Sequence, residues 1–427
     1  MIVGARCAGS PLAIMLARRG LRVCLIDKAE FPSETLSTHV IQPSGVAILE
    51  RLGVLDTVLA AGAARLRNFT FAASGARIDA AIDAEALGGA PSLCIRRISL
   101  DHLLVEAAAS AGAEVCTGTR AKGLLWDEGR VVGVETERGA LRARLVIGAD
   151  GCRSTVAGLV GAAEYHVSPP SRMFAWAYFE GVDEAEGRLR LGSQGELTYV
   201  ASPTDEGLFM AAVCPPLNSK DDFLADRERN FLAGLVAWPE LGDLVTGANR
   251  VGSIRVMAKW HGYFREAAGP GWALLGDAGH FKDPSPAQGI SDALRQAEHL
   301  ADAVEAGLGG AAGVDRALRR WWRWRDEDGY EMHWFAADMG AVGSSPLATQ
   351  FSRDMAGDEE AIEQLLRVIN HESPPSRLFT PRRLGRAAVR AVRRRPDQIP
   401  AMAREVASEL RNEVRRSRQR RAHRLRP

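Results

Sequence analysis

The chain has 427 residues, with 54 Lys and Arg against 53 Asp and Glu, and a formal net charge of +1, which leaves room for two domains and an extension. No run of about 18 apolar residues occurs and the first residues lack the pattern of a secretory leader, so membrane-spanning and exported classes are not indicated. Six cysteines, Cys7, Cys24, Cys94, Cys116, Cys152 and Cys214, are scattered without Cys-x-x-Cys spacing, which points to neither a zinc site nor a disulfide framework and makes a reducing cytoplasm the simplest setting.

At the N-terminus, Ile2-Val3 run into Gly4-Ala-Arg-Cys-Ala-Gly9, a helix with apolar Leu12, Ile14, Met15 and Leu16 follows, and a second strand over 21–26 ends in Asp27. The spacing predicts a βαβ unit for a dinucleotide. Its glycines permit a tight turn and close packing, the helix N-terminus faces a pyrophosphate, and the acid about twenty residues on meets a ribose hydroxyl. Candidate binding residues here are Gly4, Arg6, Cys7, Ala8, Gly9, Asp27 and Lys28. Arg6 stands where Gly-x-Gly-x-x-Gly has its middle glycine; its guanidinium either turns outward to phosphates or substrate, or points into solvent. Only three residues precede Gly4, fewer than a strand of about five, so either the native protein starts upstream or the first strand is short.

The loop over 31–43 follows and carries Thr38 and His39. His39 is either a proton donor or hydrogen-bond partner at a reacting centre, or a loop histidine satisfying backbone carbonyls. Arg97-Ile-Ser-Leu-Asp101 opens a helix running to Ala111, with Arg96 as the surface neighbour of Arg97. A hydrophobic strand over 145–148 then delivers Asp150-Gly151 into a polar loop.

Short alternating segments over 173–179, 188–191, 197–201 and 208–213 predict an antiparallel sheet. The stretch 222–245 reads as largely helical and 252–260 as a returning strand. Alternation places Phe174, Trp176 and Tyr178 on one face of their strand. Such a stripe is either core or the lining of an apolar pocket, for which Trp176, Tyr178, Tyr199 and Met210 are the candidate substrate residues.

Trp272-Ala-Leu-Leu275 ends in Gly276-Asp277, followed by a Pro- and Gly-punctuated loop and a helix over 290–304. This reads as a strand, a buried acid and a helix N-terminus, suited to a polyol and a polar ring or phosphate, and hence to FAD. Candidates are Gly276, Asp277, Pro284, Ala287, Gln288, Gly289 and Ile290, with His280 sharing the ambiguity of His39. In Trp321-Trp-Arg-Trp324, helical spacing puts Trp321 and Trp324 on one face, a packing surface rather than a nucleic-acid stack.

The tail is distinct. Residues 376–427 hold 17 Arg and no Lys against four acids, a charge of +13, so the rest of the chain carries −12. A helix is predicted over 401–414. The tail either folds against the acidic body or docks to anionic lipid or to an acidic carrier protein; nucleic acid is not expected.

The glycine turn at 4–9, Arg97, Asp150-Gly151 and Gly276-Asp277, in this order, resemble the para-hydroxybenzoate hydroxylase-like flavoproteins, the FAD-dependent monooxygenase and geranylgeranyl reductase superfamily, over about residues 1–310. The resemblance implies an α/β fold: a discontinuous Rossmann-like FAD-binding domain (1–70, 95–165, 265–310), an inserted antiparallel-sheet substrate domain (71–94, 166–264), a helical region (311–375) and a basic C-terminal extension (376–427). It implies FAD held by the residues named above, Asp277 at ribityl and pyrophosphate, the proline loop along the isoalloxazine, and Thr38 and His39 at its edge. It also implies NAD(P)H as a transient co-substrate without its own domain, and a sheet that roofs the substrate. The implied reaction is monooxygenation through a flavin C4a-hydroperoxide on an apolar, aromatic or isoprenoid-like molecule. The alternatives are a reductase of isoprenoid carbon–carbon double bonds and a non-catalytic flavin-binding protein whose tail recruits a partner. Two departures accompany the likeness: Ala287 replaces a glycine common before Gln288-Gly289, and the Trp-x-Trp-x-Ile-Pro motif of flavin-dependent halogenases is absent, which argues against halogenation. No metal site is expected, and the setting is cytoplasmic, peripheral to a membrane if the tail docks there.

Overall fold

The structure, a computed structural model, describes residues 1–37, 39–73, 75–309, 313–343 and 345–423. Contacts divide the chain into one unit of Met1–Ala61, Ile95–Ser168 and His261–His333 and another of Gly62–Cys94, Pro169–Trp260 and Trp334–Pro427. The mixed α/β architecture is thus discontinuous in sequence. Residues 62–70 go with the second unit because the strand Asn68–Ala73 pairs in parallel with Arg188–Gln194 there.

In the first unit, apolar strands only two or three residues long form a six-stranded sheet in the order Ala268–Gly269, Trp272–Leu274, Val146–Gly148, Ile2–Val3, Cys24–Ile26, Glu114–Cys116. The last five run parallel and the first edge is antiparallel. Ile2 lies opposite both Ile147 and Leu25, which fixes the register at the centre. Runs such as Val146-Ile-Gly148 and Trp272-Ala-Leu274 are buried throughout, as expected for parallel strands covered on both faces. The helices Gly9–Arg18, Arg97–Ser110 and Gly289–Gly309 supply part of that cover. Because adjacent strands run in one direction, the turns after Val3, Ile26, Gly148 and Leu274 emerge at the same edge, the carboxyl end where open α/β sheets bind ligands.

Trp321, Trp322 and Trp324 of the helix Val314–Met339 pack in this unit. Trp321 Nε1 donates to Gln296 O at 3.2 Å, Trp322 Nε1 to Tyr165 Oη at 2.7 Å, and Trp324 stacks on His299 at 3.7 Å between ring centroids.

The second unit is built on a seven-stranded sheet ordered Asn249–Met257, Phe174–Glu180, Phe209–Cys214, Leu197–Pro203, Arg188–Gln194, Asn68–Ala73, Ala76–Ala81. The expected helix over 222–245 is three: Lys220–Ala225, Arg227–Val236 and Pro239–Val245. Asp226 breaks the first from the second and caps the second by accepting from Arg229 N–H, and Pro239 starts the third. Their apolar sides, with Phe231, Leu235, Trp238 and Leu241, bury one face of the sheet. Four further helices, Pro346–Met355, Glu359–Ile369, Pro381–Arg394 and Ile399–Ala422, complete the unit. No helix is long and apolar enough to cross a membrane among the described residues.

Candidate functional site

The site is built at the carboxyl edge of the parallel sheet in the first unit. A Cβ added at Gly9 would lie 1.8 Å from Gly4 O, so only glycine lets the first helix start this close to the first strand. That helix has no side-chain cap and no acid in its first turn, which leaves the positive end of its dipole open to an anionic group. Asp27, buried at the end of its strand, accepts from Ala5 N–H at 2.8 Å with one oxygen and from Ala29 N–H at 2.8 Å with the other. Each oxygen keeps a second lone pair, so the carboxylate shapes the glycine turn and can still accept a hydroxyl. Lys28 beside it is exposed.

Arg6 takes neither of its expected courses. Its guanidinium turns back to donate to Asp101 Oδ2 at 2.8 Å and Ser33 Oγ at 2.9 Å, over the Phe31 ring. The cause is Asp101, fully buried one turn into the helix that Arg97 opens. Arg97 grips the same carboxylate with Nε and Nη2 at 2.9–3.0 Å and donates Nη1 to Ser37 Oγ at 2.8 Å. Burial works against the Arg97 charge, but Asp101, Cys7 and Asp277 together outweigh it and the guanidinium pKa stands above its ordinary value. Arg96, the neighbour, is the less buried of the two. Cys7 faces this group; burial pushes its thiol up to about 11.

Gly276-Asp277 follows the strand Trp272–Leu274 in a single turn of 3-10 helix. Gly276 has φ +60°, and a Cβ there would stand 3.1 Å from Ala8 Cβ, so glycine is needed both for the left-handed backbone and for the approach to the first helix. Its N–H donates to Gln296 Oε1 at 3.1 Å. The three carbonyls that follow are each occupied: Tyr263 Oη donates to Asp277 O at 2.7 Å, Arg265 Nη1 to Ala278 O at 3.1 Å, and Arg325 Nη1 to Gly279 O at 2.7 Å. With its backbone pinned, the turn presents the Asp277 carboxyl in one place. Burial raises that carboxyl to about 6, against the pull of Arg97 and with Asp292 adding to it.

The loop after Asp277 is equally constrained. Buried Lys282 donates to Asp292 Oδ2 and Gln288 Oε1, both at 2.6 Å. Gln42 Nε2 donates to Pro286 O at 3.4 Å and Ala287 O at 3.3 Å, while Gln42 N–H donates to Ser291 Oγ at 2.9 Å. Ala287 adopts φ +53° and closes a turn by donating N–H to Pro284 O at 2.8 Å. At this φ an L-residue costs about 1 kcal/mol relative to glycine. Gly289 and Ile290 open the long helix Gly289–Gly309.

Other candidates sit differently. Asp150 turns to the short helix Thr155–Leu159, accepting from Thr155 N–H at 2.6 Å, Val156 N–H at 3.2 Å and the Ser154 hydroxyl, and burial raises its pKa. Thr38 lies outside the described residues. His39 is buried and its carbonyl accepts from Ile95 N–H at 3.1 Å. His280 is buried against Phe264 at 4.0 Å, and burial holds it well below the ordinary histidine range, so it is neutral.

In the second unit the four substrate candidates separate. Trp176, Tyr178 and Met210 share one face of the sheet with Leu208, Ala212 and Cys214. Tyr199 is on the other face, in the core against the helices, its ring tilted at 45° against that of Trp238 with centroids 5.1 Å apart. The pleat is the reason. Tyr199 pairs across the sheet with Val213, whereas Trp176 pairs with Ala212 and Tyr178 with Met210, one residue out of phase. Tyr199 is therefore withdrawn as a pocket residue.

Asp101, Lys282, Gln42, Ser291 and Arg325 escaped the reading of the sequence. The i,i+4 pair Arg97/Asp101 and the contacts of Lys282 with Gln288 and Asp292 are local in sequence; the other partners are brought in from 46 to 249 residues away, distances no window shows.

Residues 1–319 match the FAD binding domain family. The chain belongs to that family. Consistent with this, 6-methylpretetramide 4-monooxygenase of Streptomyces rimosus is 29% identical over 310 residues, 69% of this chain and 72% of that protein. The menaquinone reductase of Mycolicibacterium smegmatis is 28% identical over 340 residues, 72% of this chain and 76% of the other. A solved flavin-dependent brominase, 20% identical, shares the fold with a TM-score of 0.73 over 92% of this chain and 98% of its own. The halogenase fold is thus shared although the tryptophan motif is not. The protein is an FAD-dependent oxidoreductase of the monooxygenase and halogenase flavoenzyme class, and the donor set fits the cofactor: an uncapped helix end for the pyrophosphate, Asp27 for a ribose, and a pinned Asp277 carboxyl beside Arg97 for the polyol.

Proposed function

We propose that the protein is an NAD(P)H-dependent monooxygenase that hydroxylates or epoxidises an apolar, aromatic or isoprenoid-like small molecule. The observation that carries the reading is the apolar face formed by Trp176, Tyr178, Leu208, Met210, Ala212 and Cys214, which offers rings and a thioether to an uncharged substrate, with the Arg255 guanidinium engaged over the Tyr178 ring at 5.0 Å. A relative named for 6-methylpretetramide, and another, rifampicin monooxygenase of Rhodococcus hoagii, at 27% identity over 331 residues, support it.

When bound, the flavin supplies the redox chemistry, accepting hydride from the nicotinamide and passing one oxygen atom of O2 to the substrate. The chain's own part is position and exclusion of water. The first helix would hold the pyrophosphate, Asp27 a ribose hydroxyl, and Arg97, fixed by Asp101 and Ser37, a polar edge of the cofactor. Asp277 would accept from the ribityl chain. Pro284, Ala287, Gln288, Gly289 and Ile290 would lie along the ring, kept in shape by Lys282 and Gln42. Thr38 and His39 remain the candidates for its other edge, with His39 a proton donor or hydrogen-bond partner.

A second reading, a reductase of isoprenoid double bonds, is favoured by the menaquinone reductase relative. Oxygen uptake separates the two. Aromatic and polyprenyl compounds are screened for those that accelerate NAD(P)H oxidation by the FAD-loaded protein, with dissolved oxygen followed alongside. The monooxygenase consumes oxygen in step with product; saturation of a double bond under anaerobic conditions would replace it with the reductase.

A further inference from the structure

Apolar residues exposed along the C-terminal helices are a feature of this protein that its redox chemistry does not use. Of the 17 large hydrophobic residues that are exposed among the described residues, eight fall between Phe379 and Val414, the stretch in which the arginines concentrate.

The helix Ile399–Ala422 is anchored by one side. Met402 is buried, Glu405 accepts from the Ser345 hydroxyl and from Leu347 N–H at 3.1 Å, and Arg416 pairs with Asp338 at 2.6 Å over the Trp334 ring. On another side, Ile399, Val406, Leu410 and Val414 stand 45%, 45%, 63% and 49% exposed. Their spacing puts them in one stripe, roughly 22 Å long at helical rise. Arg411, Arg415 and Arg418 border it, all exposed. The preceding helix, Pro381–Arg394, repeats the pattern: Ala387 and Ala391 are buried, while Leu384, Val389 and Val392 are exposed between rows of arginine.

An exposed apolar stripe lowers its free energy when covered. Net charge selects the cover. Two copies of a tail of charge +13 repel at short range, which disfavours self-pairing. An anionic partner is attracted, and guanidinium groups suit phosphate. The apolar positions are spread along two helices as single aliphatic side chains, and the depression lined by Leu410, Arg411, Val414, Arg415, Arg418 and Gln419 is open and rimmed by arginine, so they ask for an apolar medium with an anionic surface rather than an enclosing counterpart. We infer that the two C-terminal helices dock the enzyme on an anionic lipid surface, with Leu384, Val389, Val392, Ile399, Val406, Leu410 and Val414 entering the headgroup–acyl boundary and the flanking arginines on lipid phosphates. The inference does not depend on which substrate the flavin serves.

Flotation of the FAD-loaded full chain tests it, using vesicles of phosphatidylcholine alone and of phosphatidylcholine mixed with phosphatidylglycerol. Binding to the mixed vesicles is expected to exceed that to neutral ones by about tenfold or more and to weaken with added salt. Leu410→Glu with Val414→Glu, and separately Arg411→Glu with Arg418→Glu, each lower it by about tenfold, while the bound-flavin spectrum and far-ultraviolet circular dichroism show both variants folded. Equal binding to neutral vesicles, no binding to either, or full binding by the Leu410/Val414 variant overturns the inference. So does wild-type self-association that the same variant abolishes, or binding confined to an acidic protein.

Discussion

At the scale of single residues, the arrangement turns on two carboxyls with opposite tasks. Asp101 is fully buried and shared by two arginines, one of them buried. Removing it leaves the Arg97 charge buried without its partner, so Asp101→Ala is expected to lose about 3–5 kcal/mol of stability, read from denaturant unfolding, and to release FAD. A loss below about 1 kcal/mol would mean that the cluster is solvated and unimportant. Asp277 is held by burial with its pKa raised to about 6 from 3.8. Its folded form therefore keeps a proton that the unfolded chain gives up. Below about pH 4 the two states are alike; between about pH 4 and 6 the unfolded chain ionises first and stability falls; above about pH 6 the whole penalty is present. Asp277→Asn apoprotein should thus match wild type in acid and exceed it near neutrality by up to roughly 3 kcal/mol, a difference that urea midpoints across pH would reveal and that a flat pH dependence would refute.

Elements matter through which face they present. On the seven-stranded sheet, Trp176 and Tyr199 look alike in sequence, since each is an aromatic residue in an alternating strand, but the pairing register sends them to opposite faces. Trp176→Ala should raise KM for an apolar substrate by about tenfold or more with the flavin spectrum unchanged. Tyr199→Phe should leave KM alone. The Tyr199 hydroxyl is buried with no hydrogen-bond partner among the described residues and burial pushes its pKa up to about 12, so its removal should be neutral or stabilise by up to about 1 kcal/mol; a loss of turnover would return Tyr199 to the substrate side. At the sheet edge, Gly9→Ala places a methyl 1.8 Å from Gly4 O and should abolish FAD retention, measured as flavin absorbance carried through gel filtration.

For the whole molecule, the legible part of the sequence was that set by local chemistry. Glycines and acids at strand ends marked Gly4, Gly9, Asp27 and Gly276-Asp277, and apolar runs marked the parallel strands, because buried strands and tight turns restrict composition within a few residues. What stayed hidden needed contacts from afar. Arg6 was read as outward or solvent-facing because its partner Asp101 lies 95 residues on; Arg325, which secures the turn after Asp277, comes from 46 residues beyond its carbonyl partner. Tyr199 went to the wrong face because alternation gives two faces without saying which is covered. The central claim, an FAD-dependent monooxygenase for an apolar substrate, is tested most directly by turnover of the FAD-loaded full chain with an aromatic or polyprenyl substrate under isotopically labelled oxygen. The account predicts NAD(P)H oxidation, oxygen uptake and one labelled oxygen atom in the product. Product that gains hydrogen without label, formed as fast in the absence of oxygen, would contradict it.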